Sequence, residues 1–234
     1  MRHHDTALGD PDVSKFRSVA RATLALVVFL AGCAAPVPRA EACTDRLASE
    51  TANSCIVTKG LLWRGAKPDA AGATALLTLG VRTVVNLELL YDDRDSFRDS
   101  RPSVTGPRTV SYFRIREWEP NVVLNPALLD DHVAEFIAIA KTQEKPVYVH
   151  CRSGQNRTGI MVAAFRVIEE NMTVDAAIAE MEGYQGIWFK QDAEYVRQLQ
   201  GDRRQRVVAL ISEKMRFVQP EARLQCTSDG CTTQ

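Results

Sequence analysis

The sequence predicts an α/β fold, a central mostly parallel sheet flanked by helices, on three observations. Short β-branched runs alternate with longer stretches whose apolar residues recur at three and four. One such run, VYVH (147–150), passes through a Gly-containing turn directly into a helical stretch, TGIMVAAF (158–165). The chain has 234 residues, 45% hydrophobic and 25% charged, which is enough for one main domain with an ample core.

In chain order, GLLWRG (60–65) is a short strand. DAAGATALLTLG (69–80) is a helix, opened by the Asp69 carboxylate and closed at Gly80. VRTVVNLEL (81–89) is a β-branched, largely buried strand. Tyr91 to Pro107 is polar and turn-rich, a loop with room for one helical turn and long enough to be functional. TVSYFRIR (109–116) alternates as a strand. Asn125 caps and Pro126 opens the helix PALLDDHVAEFIAIAKTQ (126–143). KPVYVH (145–150) is a strand, CRSGQNRTG (151–159) a turn and TGIMVAAFRVIEEN (158–171) a helix. One further helix opens at Thr173, and another spans 191–215 with a break at Gly201. The segments divide as an export signal, 1–32; a tether, 33–55; a folded domain, 56–218; and a polar C-terminal tail, 219–234.

The export signal rests on Lys15, Arg17 and Arg21 preceding eleven uncharged residues, Ala22 to Gly32. A spanning helix needs about 20 apolar residues, so this run is too short for one. Leu30-Ala31-Gly32-Cys33 resembles the lipobox of bacterial lipoproteins, and that resemblance implies cleavage before Cys33 and its acylation, which would anchor the protein to the membrane, facing the periplasm. The alternative is a plain secretory signal cleaved after Ala35 or Ala40, leaving a soluble periplasmic protein. The polar leader Met1 to Ser14 is accounted for by a start site placed upstream of the true one.

Export makes the cysteines informative. With Cys33 lipidated and Cys151 inside the turn, Cys43, Cys55, Cys226 and Cys231 remain, an even set able to form two disulfides in any of three connectivities. The rival is a zinc site, which lacks C-x-x-C spacing or an adjacent histidine. With 29 basic and 29 acidic residues and no run of five Lys or Arg, the chain is not built for nucleic acid.

The turn from Cys151 to Arg157 carries the chemistry. Where a strand ends in a Gly-containing turn and gives way to a helix, unpaired N–H groups converge into an anion site. A cysteine at its mouth is pushed toward the thiolate, below the free value of about 8.5, and a thiolate is a ready nucleophile. Arg157 can grip two phosphate oxygens with its planar fork. Gly154 lets the loop close around the anion, and Gly159 permits tight packing under it. The phosphate-holding set is therefore Arg152, Ser153, Gly154, Gln155, Asn156 and Arg157.

HCRSGQNRTG (150–159) fits the H-C-x5-R-T/S-G signature of the cysteine-based protein tyrosine and dual-specificity phosphatases. WRGAKPDAAGATALLTLGVRTVVNLE (63–88) is similar to the N-terminal half of the small bacterial, Siw14-like members, so the resemblance covers roughly residues 60 to 200. It implies a protein tyrosine phosphatase-like fold and an exported phosphoric monoester hydrolase. Cys151 would become a phosphocysteine, Arg157 and the loop amides would hold the equatorial oxygens, His150 would orient the loop, and the Thr158 hydroxyl would meet the departing sulfur. No cofactor and no metal is implied, and His3, His4 and His132 show no ligand spacing.

Expelling phenolate, whose conjugate acid has a pKa of about 10, benefits from a proton donor. The family supplies an Asp about thirty residues before the cysteine. Here the loop reads REWEPNVV, without an Asp, so Glu119 in WEP is the first candidate, Glu117 the second, and Asp92, Asp93 and Asp95 the third. Asn156, where some relatives carry an acid, cannot donate as one. Trp63, Trp118 and Trp188 are candidates to line a phenyl pocket, Trp118 first because it adjoins Glu119.

The expected substrate is phosphotyrosine, with phosphoserine and phosphothreonine as further substrates. Phosphoinositide phosphatases place several Lys or Arg in this loop, and here Arg152 is the only one besides Arg157. A small phosphate ester stays open, as does a non-catalytic phosphate-binding docking protein.

Overall fold

The computed structural model describes residues 43, 45–49 and 51–234. The segment 1–32 expected to be an export signal lies outside the described residues, as do Cys33, His3 and His4.

The elements run β1 (Cys55–Thr58), β2 (Leu62–Ala66), α1 (Ala70–Leu79), β3 (Thr83–Glu88), α2 (Arg94–Arg98), β4 (Arg108–Glu117), α3 (Asn121–Leu124) and α4 (Pro126–Thr142). Then come β5 (Val147–Cys151), α5 (Asn156–Ile168), α6 (Val174–Gly183), α7 (Lys190–Gln198), α8 (Asp202–Lys214), β6 (Ala222–Thr227) and β7 (Gly230–Thr233). They form one seven-stranded sheet of order β1-β2-β5-β3-β4-β6-β7. The four inner strands, β2, β5, β3 and β4, are parallel, and the outer strands are added antiparallel.

Strand alternation sorts the core into two layers. On β3 and β5, Val85, Val147 and Val149 pack with α4 to α8, whereas Val84 and Tyr148 face the opposite side with Leu76, Leu77 and Phe97 of α1 and α2. Each fully buried leucine or valine contributes about 1.5–3 kcal/mol relative to exposure. The predicted caps form as read: Asp69 accepts from the Gly72 N–H at 2.8 Å, Asn125 from Leu128 at 3.2 Å, and Thr173 from Ala176 at 3.3 Å. Gly80 closes α1 at φ 100°, a left-handed conformation suited to glycine. The chain does break at Gly201, between α7 and α8.

Both ends of the domain depart from the expectation. The polar segment 219–234 is not a tail: Ala222–Thr227 pairs with β4 and Gly230–Thr233 closes a hairpin on it. Its alternation is short, but Ala222, Leu224 and Cys226 all turn inward and cover Val110 and Tyr112. The described part of the tether is likewise built in, with Leu47 buried against Trp63 and α1. Trp63 is therefore a core residue and not part of a phenyl pocket. The four cysteines form disulfides Cys43–Cys55 and Cys226–Cys231, which removes the zinc alternative. Cys226 and Cys231 stand opposite one another in the β6–β7 register.

Closing so short a loop is worth about 2 kcal/mol in the chain-entropy account. A Cys226→Ser, Cys231→Ser double variant should therefore melt about 4–8 °C below the parent in a thermal scan.

Candidate active site

β5 ends at Cys151 in the middle of the sheet, and α5 begins at Asn156, so the loop between them lies at the carboxyl ends of the parallel strands. Cys151 is buried and is the one cysteine among the described residues outside a disulfide. Gly154 adopts φ 69°, and a Cβ on it would stand 2.5 Å from the carbonyl carbon and oxygen of Gly65 on β2. Only glycine allows this approach. Gly159 is a different case, because a Cβ there would meet Met181 at an ordinary 3.5 Å, so close packing does not demand glycine.

The loop is held by its carbonyls. Arg64 donates from Nη2 to the Gly154 carbonyl at 2.7 Å, and Asn53 donates from Nδ2 to the Ser153 carbonyl at 2.7 Å. The N–H groups of Ser153, Gly154 and Gln155 find no acceptor among the described residues and are left for an oxyanion. Arg64 is itself buried, its guanidinium 3.6 Å from the centre of the Tyr184 ring and 3.9 Å from Glu180. Asn156 is fixed from below, donating to the Gly186 carbonyl and to Asp192 at 2.7 Å each. Burial raises the Asp192 carboxyl above its usual range, against the bonds from Phe189, Trp188 and Asn156.

Arg157 opens α5 and reaches across the sheet. Its Nη1 donates to the Leu87 and Glu117 carbonyls at 3.3 and 3.4 Å, and its Nη2 pairs with Glu119 Oε1 at 2.9 Å. Thr158 Oγ1 is buried without a partner among the described residues. Glu119, Arg152, Ser153, Gln155 and Arg157 line one cleft of about 450 Å³, whose lip carries Trp118 and Trp188.

The acidic candidates separate by position. Glu119 faces the cleft. Glu117 is turned into the protein, bonded to His132 Nδ1 at 2.5 Å and to Asn121 at 3.0 Å, so it cannot serve a leaving group. Asp95 is exposed and paired with Arg98, and Asp92 is paired with Arg94. Asp93 is fully buried behind the loop, its Oδ2 3.1 Å from His150 Nε2 without the alignment of a hydrogen bond. Its Oδ1 accepts from Asn86 at 2.9 Å and from the Tyr112 hydroxyl. Burial would raise the Asp93 carboxyl, but the neighbouring His150 and the hydrogen bonds outweigh it and hold the group below its ordinary value. Burial and Asp93 push the Tyr112 phenol well up, so it remains a donor.

Residues that support the loop and its neighbours escaped the sequence reading: Arg64, Asn53, Asn86 and Asp192. A signal existed for two of them. Arg64 interrupts an apolar strand and Asn86 sits inside VVNLE, and a polar group in a buried strand must have a partner.

The arrangement has relatives. A family model described as a DSP-PTPase phosphatase fused to NAD+ kinase matches residues 33–198. The dual specificity protein phosphatase TpbA of Pseudomonas aeruginosa strain UCBPP-PA14 is 30% identical over 126 residues, covering 52% of this chain and 50% of the relative. The chain thus spans about half the length of the curated relatives it matches. The crystal structure of P. aeruginosa TpbA aligns with TM-score 0.47 at 25% identity, over 66% of this chain and 86% of that one. The core catalytic domain of the PP-IP phosphatase SIW14 from S. cerevisiae aligns with TM-score 0.51 at 15% identity, over 73% and 97%. The last shows a shared fold.

Two outcomes follow from the buried supports. Arg64→Lys keeps a cation but loses the stacked planar fork, and should raise the inhibition constant of inorganic phosphate about tenfold. Because Asp93 sits below its ordinary value of 3.8, the stability it provides is complete above that value and is lost as pH falls through the lower folded-state value. Urea unfolding of Asp93→Asn should show a shallower loss of stability below about pH 4 than the parent.

Proposed function

The chain belongs to the DSP-PTPase phosphatase family, and from that premise we propose that it hydrolyses phosphotyrosine, with phosphoserine and phosphothreonine as further substrates, through a phosphocysteine intermediate. The observation that carries this is the pairing of Arg157 with Glu119, 2.9 Å apart, at the rim of the loop that begins with the buried free Cys151. One guanidinium thereby brings the phosphate site and a carboxyl group together.

In the first step the Cys151 sulfur attacks phosphorus in line. An S–P bond forms, the ester P–O bond breaks, and Glu119 in its protonated form gives its proton to the departing oxygen. The incoming phosphate takes over the Arg157 Nη2 donor that Glu119 occupies in the free protein, and the loop amides complete the shell of equatorial oxygens. In the second step Glu119 accepts a proton from water as water attacks phosphorus. The P–S bond breaks, and the unpartnered Thr158 hydroxyl is available to hydrogen-bond the sulfur. His150, packed on Asp93, positions the loop from behind and touches no reacting atom.

Polyphosphorylated substrates fit poorly. Arg152 is the only cation of the loop besides Arg157, and Glu88 and Glu119 put two carboxylates into the same cleft. The compartment belongs to this proposal as well. The uncharged run before Cys33 and the Leu-Ala-Gly-Cys sequence support export and lipid anchoring on the periplasmic side, and a pair of disulfides in the folded domain suits an oxidising compartment.

Steady turnover of p-nitrophenyl phosphate that disappears in Cys151→Ser is the expected result. Equal inertness of parent and variant, with phosphotyrosine peptide still bound, would instead assign a docking role. In Glu119→Gln the turnover of aryl phosphates should fall about 10²–10⁴-fold. A general acid must be protonated to act, so rate falls on the alkaline side, and that limb of the kcat profile should flatten in the variant.

A further inference from the structure

Five large apolar side chains ring the mouth of the catalytic cleft. Leu89, Leu90 and Tyr91 come from the loop after β3, Trp118 from the loop after β4, and Trp188 from the loop between α6 and α7. They are exposed from 36% at Leu89 to 77% at Leu90. Two of them are held by hydrogen bonds: the Tyr91 carbonyl accepts from Asn86 at 3.0 Å, the Trp188 indole donates to the Gln185 carbonyl at 3.0 Å, and the Trp188 N–H donates to Asp192 at 2.8 Å. So large an apolar surface held open around a polar centre marks a site of contact.

The charges within this ring are balanced. Arg152 and Arg157 face Glu88 and Glu119. Glu88 is 3% exposed, and its Oε1 has no partner among the described residues, so it is a fixed acidic group in the wall. The phosphate itself consumes Arg157 and the loop amides. Arg152, exposed and without a partner among the described residues, and Lys67 beside Tyr91 offset Glu88 and Glu119, so the ring has no net charge with which to hold a charged neighbour, whereas an apolar neighbour would cover the leucines and tryptophans.

Building on the phosphotyrosine reading, we propose that this collar selects phosphotyrosine flanked by apolar, uncharged residues and discriminates against acidic flanks. An anionic bilayer is the poorer occupant. Such surfaces are met by clusters of about 4–8 Lys or Arg, and beyond the two arginines of the phosphate site the lip has Lys67, 5.5 Å from the Tyr91 ring.

The test compares kcat/KM of the full chain on two phosphotyrosine peptides of equal length, one flanked by Leu, Val and Ala and the other by Glu and Asp. The apolar peptide should be preferred at least tenfold, mainly through KM. Leu90→Lys, at the most exposed position, should narrow the gap to threefold or less with an unchanged melting temperature. Equal rates on the two peptides, with p-nitrophenyl phosphate still hydrolysed by the parent, would overturn the collar's role while leaving the phosphatase reading intact. Inertness toward all three substrates would overturn both. No peptide preference, together with sedimentation on phosphatidylcholine–phosphatidylglycerol vesicles that Leu90→Lys weakens, would give the collar to a membrane instead.

Discussion

Backbone meets backbone where the loop after β5 crosses β2, and the candidate site depends on that contact. Gly154 lies against Gly65 with no room for a side chain on either the loop or the strand: a Cβ at Gly65 would itself fall 2.2 Å from the Tyr148 hydroxyl. The contact sets the curvature of residues 151–157, and Arg64 and Asn53 then take hold of the carbonyls on its outer side. Once those carbonyls are engaged from outside, their peptide N–H groups face inward. An anion nest of this kind costs the folded chain unsatisfied donors, and the buried guanidinium behind it is what keeps the peptide planes from turning to relieve them.

Asp93 and Glu119, both candidate acids in the sequence, are set in opposite surroundings. Asp93 is enclosed by Asn86, Tyr112 and His150 and is stabilised in its ionised form, which suits a fixed counter-charge behind the loop. Glu119 is paired with Arg157 at 2.9 Å and stands at the open cleft. Environment separates two carboxyl groups of the same kind, one enclosed and one open to the cleft.

Much of this was legible in the residues alone. Strand, turn and helix around Cys151 follow from a β-branched run meeting a glycine-containing turn, and the caps at Asp69, Asn125 and Thr173 form because short polar side chains satisfy free helix N–H groups. What separates Glu119 from Glu117 is three-dimensional: β4 ends at Glu117, whose side chain is directed inward toward His132, and the chain must turn before Glu119 can reach the cleft. What stayed hidden depends on pairings distant in sequence. Asp93 reaches His150 only because β3 and β5 are neighbours in the sheet, and Trp63 is claimed by the core because residues 45–49 fold over it. The segment 219–234 was misread for a related reason, since a polar edge hairpin becomes a strand only when an open edge such as β4 accepts it.

That last hairpin has a consequence for how the protein is made. Gly230 sits so close to the Arg98 carbonyl of α2 that no side chain would fit between them, and α2 follows directly on Asp93, the partner of His150. A polypeptide delivered from its N-terminus presents the Cys151 thiol before residues 222–233 arrive to add their hairpin to the sheet beside β4.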